Sequence, residues 1–346
     1  MVDNKSQTNS LVSRLTITQQ MKKITFIALI PVILWSCKKE EPHKNTNCGI
    51  LSEISCEDPL SDSNLNIRVT DIDFNPTNSN QILYVLHREL LGIHELRIID
   101  LTHCTDKKIF SDSYPINDID WSYKQRIVFN RQGNVYTLDT KGNDLTKEPF
   151  LFGAMIPTIT ADTIYSATWS PDGTKLLCTG RADSGYRIWI KDMETKQMQI
   201  SYPNVLLPQN YSWYAPNHVG FRFTNHPMLE AYRISTSTFE PVGLFGEAAQ
   251  YFDYNTSNDE LIWTPIFPFE GPKAIYSMNL QSGQSEQISA DCINRNHTKV
   301  KISNDGKRIA SICNYKTETS GWYLPNQRLV IMKSDGTEER VIQIPQ

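Results

Sequence analysis

The sequence lacks a hydrophobic run long enough to cross a membrane as a helix. Its longest apolar stretch, from Ile24 to Trp35, is interrupted by Thr25 and Pro31. A transmembrane helix needs about 20 predominantly apolar residues. A polytopic membrane protein is therefore excluded, and a hydrophobic content of 39% indicates a folded, globular protein.

The chain also lacks a large excess of charge of either sign. Its 34 Lys and Arg residues nearly balance 38 Asp and Glu residues, which leaves a formal net charge of -4. Such a chain has no general electrostatic attraction for nucleic acid or for anionic lipid. We therefore predict no nucleic-acid partner.

The sequence motifs of common enzyme classes are missing as well. The sequence has no Gly-x-Ser-x-Gly elbow, no His-Glu-x-x-His pair, no glycine-rich phosphate loop and no Cys-x-x-Cys spacing. The histidines are scattered, and His87, His94 and His103 match no familiar metal motif. We expect neither a metal nor a cofactor, although a metal site assembled across several repeats stays an open alternative.

The apolar stretch near the N-terminus fits a secretory signal peptide. Lys22 and Lys23 precede it and the small residue Ser36 follows it, as in such peptides. Met21 is then the natural start of the signal. We interpret residues 1–20 as an N-terminal extension upstream of that start, and residues 21–36 as the signal peptide.

The end of this stretch, Leu34-Trp35-Ser36-Cys37, resembles the lipobox of bacterial lipoproteins. The resemblance implies that Cys37 becomes the first residue and carries diacylglycerol and an N-acyl chain such as palmitate. The next residues, from Lys38 to Glu41, resemble the short export signal of Bacteroidetes lipoproteins. This second resemblance implies an outer-membrane lipoprotein, either exposed on the cell surface or facing the periplasm.

Residues 37–65 are polar, with no helical or strand period, and are interpreted as the lipidated cysteine and a flexible tether. An exported chain meets an oxidising compartment, so disulfides are expected. We favour Cys48 or Cys56 paired with Cys104, and Cys292 paired with Cys313. Cys178 lies in a predicted strand and is expected to be a buried thiol.

From residue 66 to residue 346 the sequence repeats a pattern of short strands. Each repeat has an alternating first strand that ends on a large apolar anchor, a polar turn, and three further strands. The anchors are 40 to 48 residues apart, and they are Phe74, Trp121, Trp169, Tyr214, Tyr254 and Ile302. Six repeats of four strands predict an all-β fold, a six-bladed β-propeller of four-stranded antiparallel blades. A β-sandwich is the alternative.

Two repeats carry the clearest turn motif. Trp169-Ser170-Pro171-Asp172-Gly173 leads into an aliphatic strand, and Ile302-Ser303-Asn304-Asp305-Gly306 does the same. Asp accepts hydrogen bonds from turn amides and Gly accommodates a positive φ. These segments resemble the WD40-like repeat of TolB-type six-bladed propellers. The resemblance implies the propeller alone, because TolB has a separate domain before its propeller and only a short tether precedes this one.

Two kinds of candidate site follow from this arrangement. Paired acids in equivalent first strands, Asp71 with Asp73 and Asp118 with Asp120, point to one side of their strands. They are either polar residues of a water-filled channel or functional groups. In the second case they are cation ligands or, together with His226, candidates for acid and base catalysis. The loops between second and third strands supply candidate binding residues, namely Arg181, Tyr186, Trp213, His226, Phe267, Phe269, Trp322 and Tyr323.

The sequence thus favours a lipid-anchored propeller of the cell envelope that acts as a binding or scaffold module. Its partners would be the membrane, through the anchor, and a protein, peptide or glycan. The alternative is a propeller-fold carbohydrate-active enzyme, a lyase or hydrolase that uses acids at the channel mouth. Ionisable groups about 5 to 9 Å apart in one deep pocket would favour the enzyme.

Overall fold

The computed structural model describes residues 51–53, 66–150, 161–182, 185–201, 208–215, 218–223, 226–234, 239–265, 273–289, 295–315 and 327–342. The predicted signal peptide, Cys37, and the candidate loop residues Phe267, Phe269, Trp322 and Tyr323 lie outside these residues. The described residues belong to one compact unit. Within the described part of the chain, no helix has the length and apolarity needed to span a bilayer.

Antiparallel strands form five sheets in the part of the chain that the structure describes. The strand β1 (Leu51–Glu53) is the first of the described strands but belongs to the last sheet. The first sheet contains β2 (Ile67–Asn75), β3 (Asn78–Arg88), β4 (Ile93–Asp100) and β5 (Thr105–Asp112). The second sheet contains β6 (Ile116–Trp121), β7 (Arg126–Arg131), β8 (Asn134–Asp139) and β9 (Thr146–Lys147).

The remaining sheets follow in chain order. The third sheet contains β10 (Ala161–Trp169), β11 (Lys175–Ala182), β12 (Gly185–Asp192) and β13 (Met198–Ser201). A seven-stranded sheet contains β14 (Pro208–Ala215), β15 (His218–Phe223), β16 (His226–Ile234), β17 (Phe239–Asn255), β18 (Glu260–Pro265), β19 (Tyr276–Asn279) and β20 (Gln284–Gln287). The last sheet contains β21 (Arg295–Ile302), β22 (Arg308–Tyr315), β23 (Gln327–Lys333), β24 (Arg340–Ile342) and β1.

The prediction of six separate blades is wrong, because the described residues form five sheets. The difference lies in β17, whose 17 residues pair first with β16 and then with β18. The change of partner falls between Ala248 and Ala249. Residues 242–250 contain no Pro, Asn or Asp that would end a strand. The predicted fourth and fifth repeats are therefore joined into one sheet.

A second difference concerns the predicted tether. Leu51–Glu53 forms β1, which pairs with β24 at the outer edge of the last sheet. Sequence patterning gave no sign of a strand among these polar residues. A three-residue strand is too short to show a period of two, and its pairing depends on an edge that the chain forms almost 300 residues later.

Neighbouring sheets bury one another and close a ring. Alternate residues of β3 face opposite neighbours: Tyr84 packs toward the last sheet, whereas Leu83 packs toward the second sheet. Similar clusters join the second sheet to the third and the third to the seven-stranded sheet. Each fully buried Leu, Ile or Val contributes about 1.5–3 kcal/mol. The cores therefore lie between sheets, as the propeller prediction requires.

The molecule has two faces. The upper face carries the hairpins between second and third strands, and the lower face carries the turns between first and second strands. The last and first sheets meet at both faces, since Arg328 Nη1 donates to the Ile67 carbonyl at 2.9 Å near the upper face and Ser79 Oγ donates to Asp305 Oδ2 at 2.9 Å near the lower face.

The predicted turn motif is confirmed in both repeats. Ser170 Oγ donates to Asp172 Oδ1 at 2.5 Å and accepts from the Lys175 amide at 2.9 Å, and Gly173 has φ +65°. The corresponding bonds of Ser303 with Asp305 and with the Arg308 amide are 2.7 and 2.9 Å, and Gly306 has φ +67°. The two turns are closely similar structures, in sheets that are far apart in the chain.

The cysteines agree only in part with the predicted pairing. Cys104 is in a disulfide bond, and its partner lies outside the described residues. Cys178 is a buried thiol, as predicted. Cys313 is also a buried thiol, so its predicted pairing with Cys292 is wrong. Cys313 lies on β22 in the core between the last sheet and the seven-stranded sheet, where its side chain serves as an apolar group.

Candidate functional site

The innermost strands present a ring of polar side chains to a central channel. On each of these strands the residue before the buried anchor faces the channel, because alternate residues of a strand point to opposite sides. All six of these residues line one cavity of about 130 Å³. They are Asp73, Asp120, Thr168, Ser212, Asp253 and Lys301.

The fourth anchor is displaced by one residue from its predicted position. Trp213, and not Tyr214, pairs with the second residue of the following strand, Val219. Trp121 and Trp169 have the same register opposite Ile127 and Leu176. Trp213 is 6% exposed and packs in the core between sheets. It was predicted to be a binding-loop residue, but the structure places it on β14 with its side chain in the core.

Channel carboxylates connect each inner strand to the next one. Asp73 Oδ2 accepts from the Trp121 amide at 2.7 Å, and Asp253 Oδ2 accepts from the Ile302 amide at 3.0 Å. Asp120 accepts from the Trp169 amide and, at 2.8 Å, from Thr168 Oγ1. The donor amide is 48 or 49 residues further along the chain in each case. These carboxylates thus satisfy backbone donors that the strand ladders leave unpaired.

A second layer of charged side chains lies two residues earlier on the inner strands, at Asp71, Asp118 and Lys299. Asp71 Oδ2 accepts from the Ile119 amide at 3.1 Å, and its other oxygen pairs with the ammonium group of Lys299. Asp118 faces both of these side chains and lines a smaller cavity of about 50 Å³ with Ser166 and Tyr211. Among the described residues, Asp118 has no hydrogen bond or ion pair.

Two lysines of β21 balance part of this negative charge. Lys301 Nζ lies 3.3 Å from Asp73 Oδ1 and 3.8 Å from Asp253 Oδ1. Burial acts to lower the pKa of both lysines, but the facing carboxylates have the larger effect and raise both pKa values. The carboxylate that faces Lys299 is Asp71, and those that face Lys301 are Asp253 and Asp73. Both lysines therefore remain charged, and they hold the last sheet to the first and to the seven-stranded sheet.

The acids themselves are harder to ionise than free carboxyl groups. Burial, opposed by Lys299 and reinforced by Asp71, raises the pKa of Asp118 to about 7. Burial likewise raises the pKa of Asp73 and of Asp120, whose carboxyl groups are hydrogen-bonded to each other. Two like charges in direct contact cannot both persist in a buried site. Burial and the neighbouring carboxyl group therefore favour the protonated form of this pair, against the opposing charge of Lys301.

This geometry determines what the channel can do chemically. Carboxyl groups of glycosidases stand about 5–9.5 Å apart to leave room for the sugar or for water. Asp73 and Asp120 are closer than that, and their oxygens bind backbone amides of the next sheet. Four of the five channel acids accept hydrogen bonds from backbone amides, whereas Asp118 has no such bond among the described residues. No cluster of three metal-ligating side chains occurs among the described residues.

The remaining predicted residues lie elsewhere. Arg181 and Tyr186 face each other across the β11–β12 hairpin on the upper face, where Arg181 is exposed and the Tyr186 ring lies 6.2 Å from that of Tyr165. His226 begins β16 at a hairpin and is not on an inner strand. The structure therefore brings the four predicted acids together and leaves His226 apart from them at the level of the backbone.

Three charged channel residues, Asp253, Lys299 and Lys301, were not predicted from the sequence. A signal for them exists, since Lys299-Val300-Lys301 alternates like Asp71-Ile72-Asp73, and Asp253 directly precedes the Tyr254 anchor. His87 and His94 proved to be stacked, with ring centroids 4.1 Å apart. Burial and a neighbouring positive charge lower the pKa of His94 to about 4, so it is neutral at physiological pH.

Comparisons with known proteins agree with a β-propeller fold. No protein-family model and no curated protein matches the sequence. Among solved structures, TolB from Acinetobacter baumannii aligns with a TM-score of 0.57 at 15% identity, covering 78% of this chain and 64% of that one. The alignment thus spans less than two thirds of that TolB chain.

Two further structures give the same result. A protein assigned as TolB from Agrobacterium tumefaciens aligns with a TM-score of 0.54 at 12% identity, over 72% of this chain and 87% of that one. A protein assigned as a gluconolactonase aligns with a TM-score of 0.55 at 7% identity, over 80% and 91%. At such identities the similarity shows a TolB-like propeller fold and carries no function with it.

Proposed function

We propose that this chain is a lipid-anchored β-propeller of the bacterial cell envelope that acts as a binding or scaffold module. The anchor would be Cys37, acylated after removal of residues 21–36, in a lipoprotein of the Bacteroidetes type. The lipobox-like residues before Cys37 support this assignment. The partner on the propeller would be a protein, peptide or glycan, and the location the outer membrane.

The observation that carries the binding role is the use of the channel acids. Asp71, Asp73, Asp120 and Asp253 each bond to a backbone amide of a neighbouring strand or sheet. Such bonds connect neighbouring inner strands and give these groups a structural role. A rigid ring with variable hairpins on one face is suited to recognition, since binding then requires little ordering of the protein.

The anchor is tested by labelling the full chain with radioactive palmitate in a bacterial host. Palmitate should be incorporated into the natural chain and not into the Cys37→Ala chain. When globomycin blocks cleavage of the lipoprotein signal, the uncleaved precursor of the natural chain should accumulate. Equal labelling of the Cys37→Ala chain would overturn the assignment of this cysteine.

Binding is tested on the upper face with the acylated full chain in detergent. Panels of envelope glycans and peptides should yield a ligand whose affinity falls at least about tenfold in the double variant Arg181→Ala with Tyr186→Ala, as expected for a lost aromatic contact. The matched control is Lys307→Ala, an exposed residue of a lower-face turn. A ligand that responds to Lys307 instead would place recognition on the other face.

A second candidate function, a carbohydrate-active enzyme, rests on Asp118. A carboxyl group with a pKa of about 7 that lines a polar cavity has the property of a general acid. Hydrolysis or cleavage of an envelope polysaccharide that falls at least about a hundredfold in Asp118→Asn, with the fold retained, would favour this candidate.

A further inference from the structure

An exposed apolar tip stands out on the upper face of the first sheet. Leu90 and Leu91 are 79% and 65% exposed, the largest values among the large apolar residues that the structure describes. They lie in the hairpin between β3 and β4. Adjacent exposed leucines are unfavourable in water, so their presence points to an apolar partner.

The backbone of this tip, residues 89–92, forms a defined turn. Residues Glu89–Leu91 form one turn of 3-10 helix, which ends at Gly92 with φ +60° in the left-handed region. The Glu89 amide donates to the Asn66 carbonyl at 2.9 Å, and Glu89 Oε1 lies 3.2 Å from Arg68 Nε. These contacts hold the turn to the neighbouring strand, so the two leucines are presented outward by a defined backbone.

An aromatic residue lies on the same face. Tyr114 follows β5, which reaches the upper face where Asp112 pairs with His94, and it is 46% exposed. The Arg131 guanidinium is 5.4 Å from the centre of its ring. A half-exposed tyrosine beside an arginine is suited to the zone between lipid headgroups and acyl chains, where amphipathic rings accumulate.

Charged groups around the tip balance one another. Arg68 pairs with Glu89, Arg88 with Glu95 and Arg131 with Asp112, at 3.2, 3.3 and 2.8 Å. The surface therefore has no excess charge that would attract a polyanion or a polycation. An apolar, uncharged environment is the partner that this surface fits.

The course of β1 identifies which apolar environment lies near. In the last sheet, β23 ends at Lys333 beside the lower turn, so β24 runs from the lower toward the upper face. The strand β1 is antiparallel to β24, with Leu51 opposite Ile342 and Glu53 opposite Arg340. The chain therefore enters the propeller from the upper face, the same face that carries Leu90 and Leu91.

The length of chain before β1 sets a limit on distance. Leu51 lies fourteen positions after Cys37, and an extended chain spans at most about 3.6 Å per residue, or about 50 Å in all. A lipid on Cys37 would thus keep the upper end of β1 within about 50 Å of a bilayer, a distance comparable to the size of a domain.

We propose that the upper face of the first sheet rests on the bilayer that holds Cys37, with Leu90 and Leu91 inserted among the lipid headgroups. This inference rests on the proposed lipid anchor. Two leucines alone bind a membrane weakly, but a tether converts their insertion into an intramolecular event at high effective concentration. The β3–β4 hairpin of the first sheet would then face lipid, and the β11–β12 hairpin, which belongs to the third sheet, would stay open to the proposed ligand.

The experiment places an environment-sensitive fluorescent amino acid at position 91 of the acylated full chain, reconstituted into vesicles of phosphatidylethanolamine and phosphatidylglycerol. Its emission in the presence of vesicles should be shifted to the blue, compared with the emission of the same chain in detergent-free buffer after the vesicles have been removed enzymatically. Bromine-substituted lipids should quench the emission. The same amino acid at position 307, exposed on the lower face, is the control and should show neither effect. Raising the salt concentration should leave the signal at position 91 unchanged, because insertion is apolar.

A second measurement separates this proposal from the anchor. Flotation of the Cys37→Ala chain with the same vesicles reports the propeller by itself, and Leu90→Ser with Leu91→Ser should lower its partition at least about tenfold. Both leucines are exposed, so the double variant should keep its circular dichroism spectrum.

The outcomes are distinct. If the natural chain took up no palmitate but flotation still depended on the two leucines, the proposed anchor would be wrong and the proposed insertion of Leu90 and Leu91 would be supported. If palmitate labelling were intact but the fluorophore at position 91 gave no blue shift and no quenching, the proposed insertion would be wrong and the proposed anchor would stand. A response at position 307, or a response at position 91 that only a protein partner produces, would also overturn the proposal.

Discussion

At the scale of single residues, the position before each anchor determines how the inner strands are connected. Aspartate at this position spans to the next sheet and accepts from its backbone, as Asp73, Asp120 and Asp253 do. Lysine at the same position of β21 reaches back to two of these carboxylates. The acids that look catalytic in the sequence are thus mainly structural groups.

The exception, Asp118, makes the stability of the protein depend on pH. Its pKa is raised from 3.8 to about 7, so between these values the folded protein binds more protons than the unfolded chain. The contribution of Asp118 is therefore favourable at low pH and is lost as the pH rises through about 7. The charged groups that face it are Asp71, Lys299 and Lys301.

Replacing this acid by its neutral isostere should remove the penalty. We expect Asp118→Asn to raise the free energy of unfolding in alkaline buffer by about 1–3 kcal/mol, and to have little effect in mildly acidic buffer. Asn also tolerates the φ of +50° at this position. Urea unfolding of both chains across the pH range measures the difference.

The control is Asp71→Asn in the same channel. Asp71 pairs with Lys299 and accepts from the Ile119 amide, so this variant should be less stable than the natural chain in alkaline buffer. If Asp118→Asn were destabilising to the same degree, the Asp118 charge would be stabilising and the argument from burial would be wrong.

Residue patterns predicted part of this site. Asp71, Asp73, Asp118 and Asp120 stand out because each pair alternates with isoleucine in a short strand. Which oxygen binds which amide depends on the neighbouring sheet, about 48 residues away, and no local pattern contains that information. Trp213 was misassigned because Tyr211, Trp213 and Tyr214 are all aromatic, so the anchor could not be chosen from hydrophobicity alone.

At the scale of elements, β1 joins the two ends of the described chain. Its pairing with β24 covers an edge that would otherwise be exposed. A chain that begins at Asn66 lacks this strand, whereas one that begins at Asn47 retains it. We expect the shorter chain to lose about 1–3 kcal/mol of stability, measured by thermal unfolding.

The comparison should be made in a reducing buffer. Residues 47–65 contain two cysteines, and a lost disulfide would add to the effect of the lost strand. Equal stability of the two reduced chains would mean that β1 contributes nothing beyond covering the edge.

The direction of β1 also selects a partner for Cys104. Cys104 lies in the turn between β4 and β5, at the lower end of the first sheet, next to the last sheet. The chain leaves β1 at Glu53 toward the lower face, three residues before Cys56, whereas Cys48 precedes β1 on the upper side. We expect a Cys56–Cys104 disulfide, to be identified by peptide mapping without reduction. Recovery of Cys48 linked to Cys104 would contradict this expectation.

Elements were predicted well where turn residues separate them. The second strands that follow Asp172-Gly173 and Asp305-Gly306 appear as expected, in β11 and β22. The long strand β17 was not predicted, since a strand that changes partners at Ala249 has no turn to mark the change. The boundary between repeats is a property of pairing and is absent from local composition.

At the scale of the whole molecule, closure of the ring should couple all sheets into one unit. Each sheet is covered on both sides by neighbours, and the last and first sheets bond at both faces. Removing one sheet would expose the cores of two others. An open stack of repeats can unfold from its ends, but a closed ring has none.

Two distant substitutions test this coupling. Lys191 Nζ and Glu148 Oε2 form a buried ion pair of 2.9 Å between the third and second sheets, so Glu148→Ala should cost about 3–5 kcal/mol. Asp253 accepts from Ser212 Oγ and the Ile302 amide in another part of the ring, so Asp253→Ala should cost about 2–3 kcal/mol.

In a coupled ring each variant lowers the midpoint of one and the same urea transition, seen alike by tryptophan fluorescence and far-ultraviolet circular dichroism, and the double variant shows the sum. A biphasic curve, or a variant that shifts one probe and not the other, would mean that the sheets unfold separately in spite of the closed ring.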